Sequence, residues 1–172
     1  MINHLCMHVA ALALALNAMA ASIASAHDGE EAPAAPAAIP QPAALYQLEH
    51  VRQLAARYQD LQTALDDGYV DISVFYPNMG HHYLNPALLD DTFDAENPEL
   101  LVYEDDPCSS QRRLVAVEYA VPLSLAKRAP QGFPGPHDIW SINQQFQLWT
   151  LHAWLFEYNP TGVFSAYNPR VP

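Results

Sequence analysis

The sequence predicts an α+β domain in which one long N-terminal helix packs on a curved antiparallel sheet of four to six strands, barrel-like in its curvature. Three observations predict it. LYQLEHVRQLAARYQDLQTAL repeats apolar residues at steps of three and four, the stripe of an amphipathic helix. Downstream the apolar period shortens in YVDISVFY, ELLVYE, RRLVAVEYAV and QLWTLHAWLFEY, which read as strands. The segments joining them are rich in Asn, Asp, Pro and Gly, the residues of turns.

Ahead of that domain, residues 1–26 carry no Asp, Glu, Lys or Arg and hold an apolar core, VAALALAL, followed by small residues ending Ala24-Ser25-Ala26. This is the pattern of a secretory signal peptide with an A-x-A cleavage site, although its n-region offers only His4 and His8 where Lys or Arg is usual. A membrane anchor needs about 20 unbroken apolar residues, which Asn17 and the Ala/Ser run interrupt. Cleavage leaves 146 of the 172 residues, enough for one secreted or periplasmic domain. Residues 27–43 have the composition of a disordered Ala/Pro-rich linker, so the domain is placed at 44–172. Cleavage also makes His27 the first residue. Its amine and ring together could bind copper, but a mobile arm does not preorganise a site.

Within the helix, Leu45, Leu48, Val51, Leu54 or Ala55, Tyr58, Leu61 and Leu65 are the expected buried stripe, and Gly68 stands where a C-terminal cap belongs. The expected strands are 69–76, ended by Pro77; 99–104 and 112–121, a hairpin around DDPCSSQ; and 147–158, ended by Asn159-Pro160-Thr161-Gly162. LNPALLDDTFDAENPE and APQGFPGPHDIW are long irregular connections, a length at which loops tend to be functional.

Seven basic residues against nineteen acidic give a net charge of −12. Such a field repels phosphate backbones and anionic lipid, which argues against nucleic acid and membrane surfaces as partners, and it attracts cations. Cys6 leaves with the leader, so Cys108 is the only cysteine of the mature chain and an internal disulfide is not available to it. The domain must rely on its core or on a metal. No G-x-S-x-G, Gly-rich phosphate loop or C-x-x-C occurs, so the motifs specify no reaction and leave the protein's status as an enzyme open.

Glu118 sits in a strand with apolar residues on both faces, Leu114, Ala116 and Ala120 on its own side and Val115, Val117, Tyr119 and Val121 on the other. An unpartnered carboxylate there would cost several kcal/mol or take up a proton. Two partners are open: a basic side chain, from Arg52, Arg57, Arg112, Arg113, Lys127, Arg128 or Arg170, or a metal ion. His152 shares strand parity with Leu148, Thr150, Trp154 and Phe156 and so points to an aromatic-lined face. In NMGHHYLNP, successive side chains point to opposite faces, so one of the doubled histidines enters a site and the other stays out. His82 is the candidate, because Gly80 on the same side leaves room beside an ion; His81 is the alternative. His137, in the loop Gly135-Pro136-His137-Asp138, is a fourth candidate, with a plain exposed loop histidine as its other reading.

Together His82, Glu118, His152 and His137 would supply two or three imidazoles and one carboxylate. That donor set suits a divalent transition metal, Zn, Fe, Mn or Cu. Glu118 and His152 would come from strands and His82 and His137 from loops, with Tyr83 or Tyr119 as a nearby proton donor if the ion were catalytic. Two alternatives involve no metal. In one, Tyr69, Phe75, Tyr76, Tyr83, Tyr119, Trp149 and Trp154 line an apolar pocket or a sugar-stacking face. In the other, the buried polar groups only fix loops in a structural protein.

The motifs MGHHYLNP, RLVAVEYAVP and LHAWLFEYNPTGVFSAYNPRV resemble those of a family of small secreted microbial proteins of uncharacterised function. Its pattern is M-G-x-H-aromatic-x-N, L-x-x-V-E-Y-x-V-P and L-H-x-W-L-x-x-x-N-P-x-G-x-F-x-x-x-N-P, and it covers residues 44–171. Position by position the resemblance marks His82, Glu118, His152, Trp154, Asn159, Pro160, Gly162, Phe164, Asn168 and Pro169. His81 is outside the pattern. The resemblance implies which residues matter and implies no reaction.

Overall fold

A computed structural model describes residues 40–172, apart from 107 and 110. The leader, His27 and all but the last four residues of the expected linker lie outside the described residues.

The first element begins earlier than composition suggested. Helix α1 spans Pro42–Ala55 with a proline in its first turn, where the missing N–H is no loss. The apolar stripe then runs through a short 3-10 segment, Ala56–Gln59, and a second helix, α2, Leu61–Asp66. The single long helix expected over 45–65 is therefore broken at Asp60. Its backbone is extended, and its carboxylate accepts from Gln62 N at 3.1 Å and Thr63 Oγ1 at 3.0 Å, so the side chain caps a new helix in place of continuing the old one. The buried stripe is Ala44, Leu48, Val51, Ala55, Tyr58 and Ala64, whereas Leu45, Leu54 and Leu65, expected in it, are exposed. Gly68 adopts the expected left-handed turn, φ +95°. Among the described residues no helix is long and apolar enough to cross a membrane.

Six strands follow: β1 Val70–Tyr76, β2 Gly80–Leu84, β3 Leu100–Asp105, β4 Arg112–Pro122, β5 Ser141–Asn143 and β6 Leu148–Ala153. All pair antiparallel in the order β1-β2-β3-β4-β6-β5, and the sheet curls into a half-barrel with β1 and β5 at its edges. Three strands depart from expectation, the first being β5, Ser141–Asn143, where none is expected. The segment carrying the doubled histidines is strand β2, not a loop, and β6 stops at Ala153, five residues short of the expected end.

Strand alternation gives the sheet two different faces. Tyr83, Leu101, Tyr103, Val117, Tyr119, Leu151 and Ala153 pack with the helical segment in the main core. There the hydroxyls of Tyr69, Tyr103 and Tyr119 donate to the carbonyl oxygens of Pro98, Tyr58 and Ala95 at 2.6, 2.7 and 2.8 Å, so buried polar ends are satisfied. A bulge at Val115, between the pairs Val102↔Ala116 and Tyr103↔Leu114, turns Leu114 into this core and away from the Glu118 side, where parity had put it. On the opposite face Val102, Val115 and Ala116 are covered by Trp154 and Val171 of the C-terminal segment. That segment is tied down by its asparagines. Asn159 Nδ2 donates to Tyr167 O at 2.9 Å, Asn168 Nδ2 to Tyr158 O at 3.2 Å, and Asn168 N to Asn78 O at 2.8 Å in the β1–β2 turn.

Gly80 opens β2 at φ +108°, and a Cβ there would stand 2.4 Å from the Tyr103 carbonyl oxygen. Its small size serves backbone approach to β3, rather than space beside an ion. Gly80→Ala should therefore lower stability by roughly 2–4 kcal/mol in urea unfolding; an unchanged midpoint would mean that the two strands part at no cost.

Glu99 is buried before β3, with Oε2 accepting from Ala120 N at 3.0 Å. Desolvation pushes its pKa up to about 8 from 4.5. A carboxyl with a raised folded pKa holds its proton more tightly when folded, so its stabilisation is complete below about pH 4.5 and is lost as pH rises through about 8. Glu99→Gln should flatten that decline by on the order of 2–4 kcal/mol in unfolding curves taken from pH 5 to pH 9. Equal slopes in both proteins would refute the assignment.

Candidate metal centre

Three of the predicted residues meet on the face opposite the helix. Glu118 on β4 and His152 on β6 are direct cross-strand partners, and His82 on β2 lies diagonally beyond β3, opposite Val102. Backbone pairing alone brings them together, since Leu84, Leu100, Glu118 and His152 form one row across four strands. His82 Nε2 lies 3.5 Å from Glu118 Oε2, and His152 Nε2 lies 3.6 Å from Glu118 Oε1. The two imidazole rings stand 6.2 Å apart and nearly perpendicular, at 88°. One ligand atom from each of the three lies within 4.8 Å of the others, a spacing that could hold a metal ion.

Each ring is oriented by its surroundings. His82 Nδ1 stands 3.3 Å from the Val74 carbonyl oxygen of β1. A carbonyl can only accept, so Nδ1 carries the proton and Nε2 presents its lone pair toward Glu118. His152 stacks on Trp154 at 6.1 Å and 12°, and its Nε2 is buried without a hydrogen-bond partner.

All three residues are only 4–5% exposed, and burial sets their charge preferences. Desolvation raises the Glu118 pKa, opposed by His82 and by a hydrogen bond from Thr150. It lowers that of His82, with Glu118 pulling the other way, and brings His152 down to about 4. Without a cation, all three are driven toward their neutral forms.

Among the described residues no lysine or arginine pairs with Glu118. Arg112 pairs with Asp71 and Asp105, Arg113 with Glu104 and Glu157, Arg170 with Glu157, Arg57 with Asp67 and Arg52 with Glu49. The ion-pair contacts of Glu118 among the described residues are the two imidazoles.

The other candidates lie elsewhere. His81 points to the opposite side of β2, 3.5 Å from Asp105 and against Phe75, so the pair divides one in and one out. His137 is not part of the group. Its loop is anchored by Phe133 in the main core, and Gly135 packs on Gln41 at the start of α1, which holds that turn on the helix side of the sheet. Tyr83 and Tyr119 also belong to the helix-side core, so neither can serve as a proton donor to this group.

What the sequence did not reveal is the enclosure. The three residues line a cavity of about 510 Å³ whose walls come from β1 and β5, at the two edges of the sheet, together with Ala166 and Tyr167 of the C-terminal segment. Of the aromatic residues expected to form a pocket, Tyr76 is the one that lines it.

A histidine kept for packing and one kept for coordination respond differently to replacement. In chelator-treated protein, His152→Leu conserves volume and removes an unpartnered buried nitrogen, so stability should be unchanged or higher by up to about 2 kcal/mol in thermal unfolding. A loss larger than that would make His152 a structural residue.

Comparison with known proteins returns no match, whether against family models, curated proteins or solved structures.

Proposed function

We propose that this is an exported protein that binds one divalent transition-metal ion, Zn, Fe, Mn or Cu, through His82, Glu118 and His152. The observation that carries the reading is a buried carboxylate whose ion-pair contacts among the described residues are two imidazoles, one of them with an orphaned Nε2 facing it. A dipositive ion would neutralise Glu118, use the lone pairs of both Nε2 atoms and offset the desolvation of all three. The motif resemblance marks the same three residues, and the leader read in residues 1–26 supports export.

Two imidazoles and one carboxylate leave part of the coordination sphere open, one position for a four-coordinate ion and three for a six-coordinate one. The three residues line the cavity, which would give those open positions access to a further donor. Such an ion can act as a Lewis acid or can bind a further donor, and the donor set is that of hydrolytic zinc and of non-haem iron centres.

The mature protein, stripped of metal and dialysed against one metal at a time, should take up one equivalent by elemental mass spectrometry. His82→Ala, Glu118→Gln and His152→Ala should each abolish stoichiometric uptake, whereas His81→Ala and His137→Ala should retain it. Uptake that survives the first three changes, or no uptake by the parent, defeats the proposal and leaves the cavity as a metal-free binding site.

A further inference from the structure

The cavity narrows what could reach such an ion. Its walls are aliphatic, with Ile72 and Val74 from β1, Leu84 from β2, Leu100 from β3, Ile142 from β5 and Leu148 from β6. The half-exposed side chains of Ile142 and Phe146 continue that surface to the mouth. Its polar groups are His82, Glu118, His152 and Thr150 together with the neutral side chains of Tyr76, Ser141, Asn143, Gln144 and Tyr167, Ser141 Oγ lying 3.2 Å from Thr150 Oγ1.

No lysine or arginine is among the residues lining it. A carboxylate or phosphate tail would therefore lose its hydration with no counter-charge, inside a protein of net charge −12. A cationic tail fares no better, since Glu118 is the one acid in the lining and a bound metal would already neutralise it. A volume of about 510 Å³ is that of a site for a small organic molecule, not a single solvent molecule or a polymer.

We propose that the cavity admits a neutral, predominantly apolar organic molecule that presents a single oxygen or nitrogen donor to the metal. The inference rests on the metal-binding reading above. The aliphatic walls supply affinity, the metal supplies orientation, and the donor end of the molecule is the end that can be polarised or transformed. The Tyr76 hydroxyl, at the end of β1, donates to Gln145 Oε1 at 2.9 Å in the turn after β5, a bond that links the two edges of the sheet beside the cavity.

Cobalt(II) provides a test that separates the two readings, because its visible absorption reports both its own binding and a new ligand in its open position. Cobalt-loaded protein would be titrated at pH 8 with imidazole, 4-phenylimidazole, inorganic phosphate and phenyl phosphate. The phenyl group should tighten imidazole binding at least about tenfold, and neither phosphate should compete. Ala166→Trp, which fills the cavity from the C-terminal segment without touching a ligand, should erase the phenyl advantage and leave cobalt affinity within about twofold. Equal affinity for the two imidazoles, or preference for phenyl phosphate, overturns the apolar-ligand proposal while leaving the metal site standing. Absence of any cobalt spectrum overturns the metal site, and this proposal with it.

Discussion

The constraint on which the rest depends is a carboxyl group set into the middle of an apolar strand and denied a guanidinium. Glu118 is flanked by Val117 and Tyr119, which belong to or adjoin the helix-side core, and faces its own side among aliphatic walls. The chain has few basic residues, and the arginines with ion pairs spend them on other acids, Glu104 and Glu157 taking two of them at the far end of the β3–β4 hairpin. What is left to answer Glu118 is two imidazoles, both discouraged from charging by the same burial. An arrangement of that kind is poor as a means of stabilising a fold. It makes sense as a place prepared for a charge from outside.

The parts of the site that could be read from the sequence are those governed by strand parity. Glu118 and His152 stand in long strand runs, and the division of His81 and His82, one in and one out, follows from the fact that neighbours on a strand cannot share a face; the reason for choosing His82, room left by Gly80, does not hold. The parts that could not be read depend on backbone features with weak local signals. Strand β2 is bracketed by Gly80 and Asn85-Pro86, which look like loop punctuation, yet the glycine is there so that β2 can approach Tyr103. Strand β5 has three residues, too few for any period to show. Asp60 breaks the helix by capping, a local hydrogen bond that competes with the apolar stripe. Ser73 takes a left-handed conformation, φ 56°, within the irregularity of β1, beside the Val74 carbonyl that orients His82. The direction of the loop around His137 depends on where Phe133 is buried, which parity cannot tell.

The C-terminal segment, whose sequence looks like a run of turns, turns out to be architecture. Asn159 and Asn168 use their amides as substitutes for backbone partners, and Trp154 Nε1 donates to Ser165 O at 2.6 Å. The effect is to hold a stretch without strands or helices against the open half of the sheet, covering Val102 and Ala116 at one end and closing the cavity with Ala166 and Tyr167 at the other. The residues marked by the family resemblance beyond the three site residues thus include those that keep this cover in place.

All three side chains of the proposed centre are set by interstrand pairing, and none by a connection. The long stretches before β3 and before β5 join these strands without contributing to the group. Both connections still contribute to the main core, through Ala95 and Phe133, so it is the exposed positions between those anchors at which residues can be gained or lost while the inner arrangement is inherited unaltered.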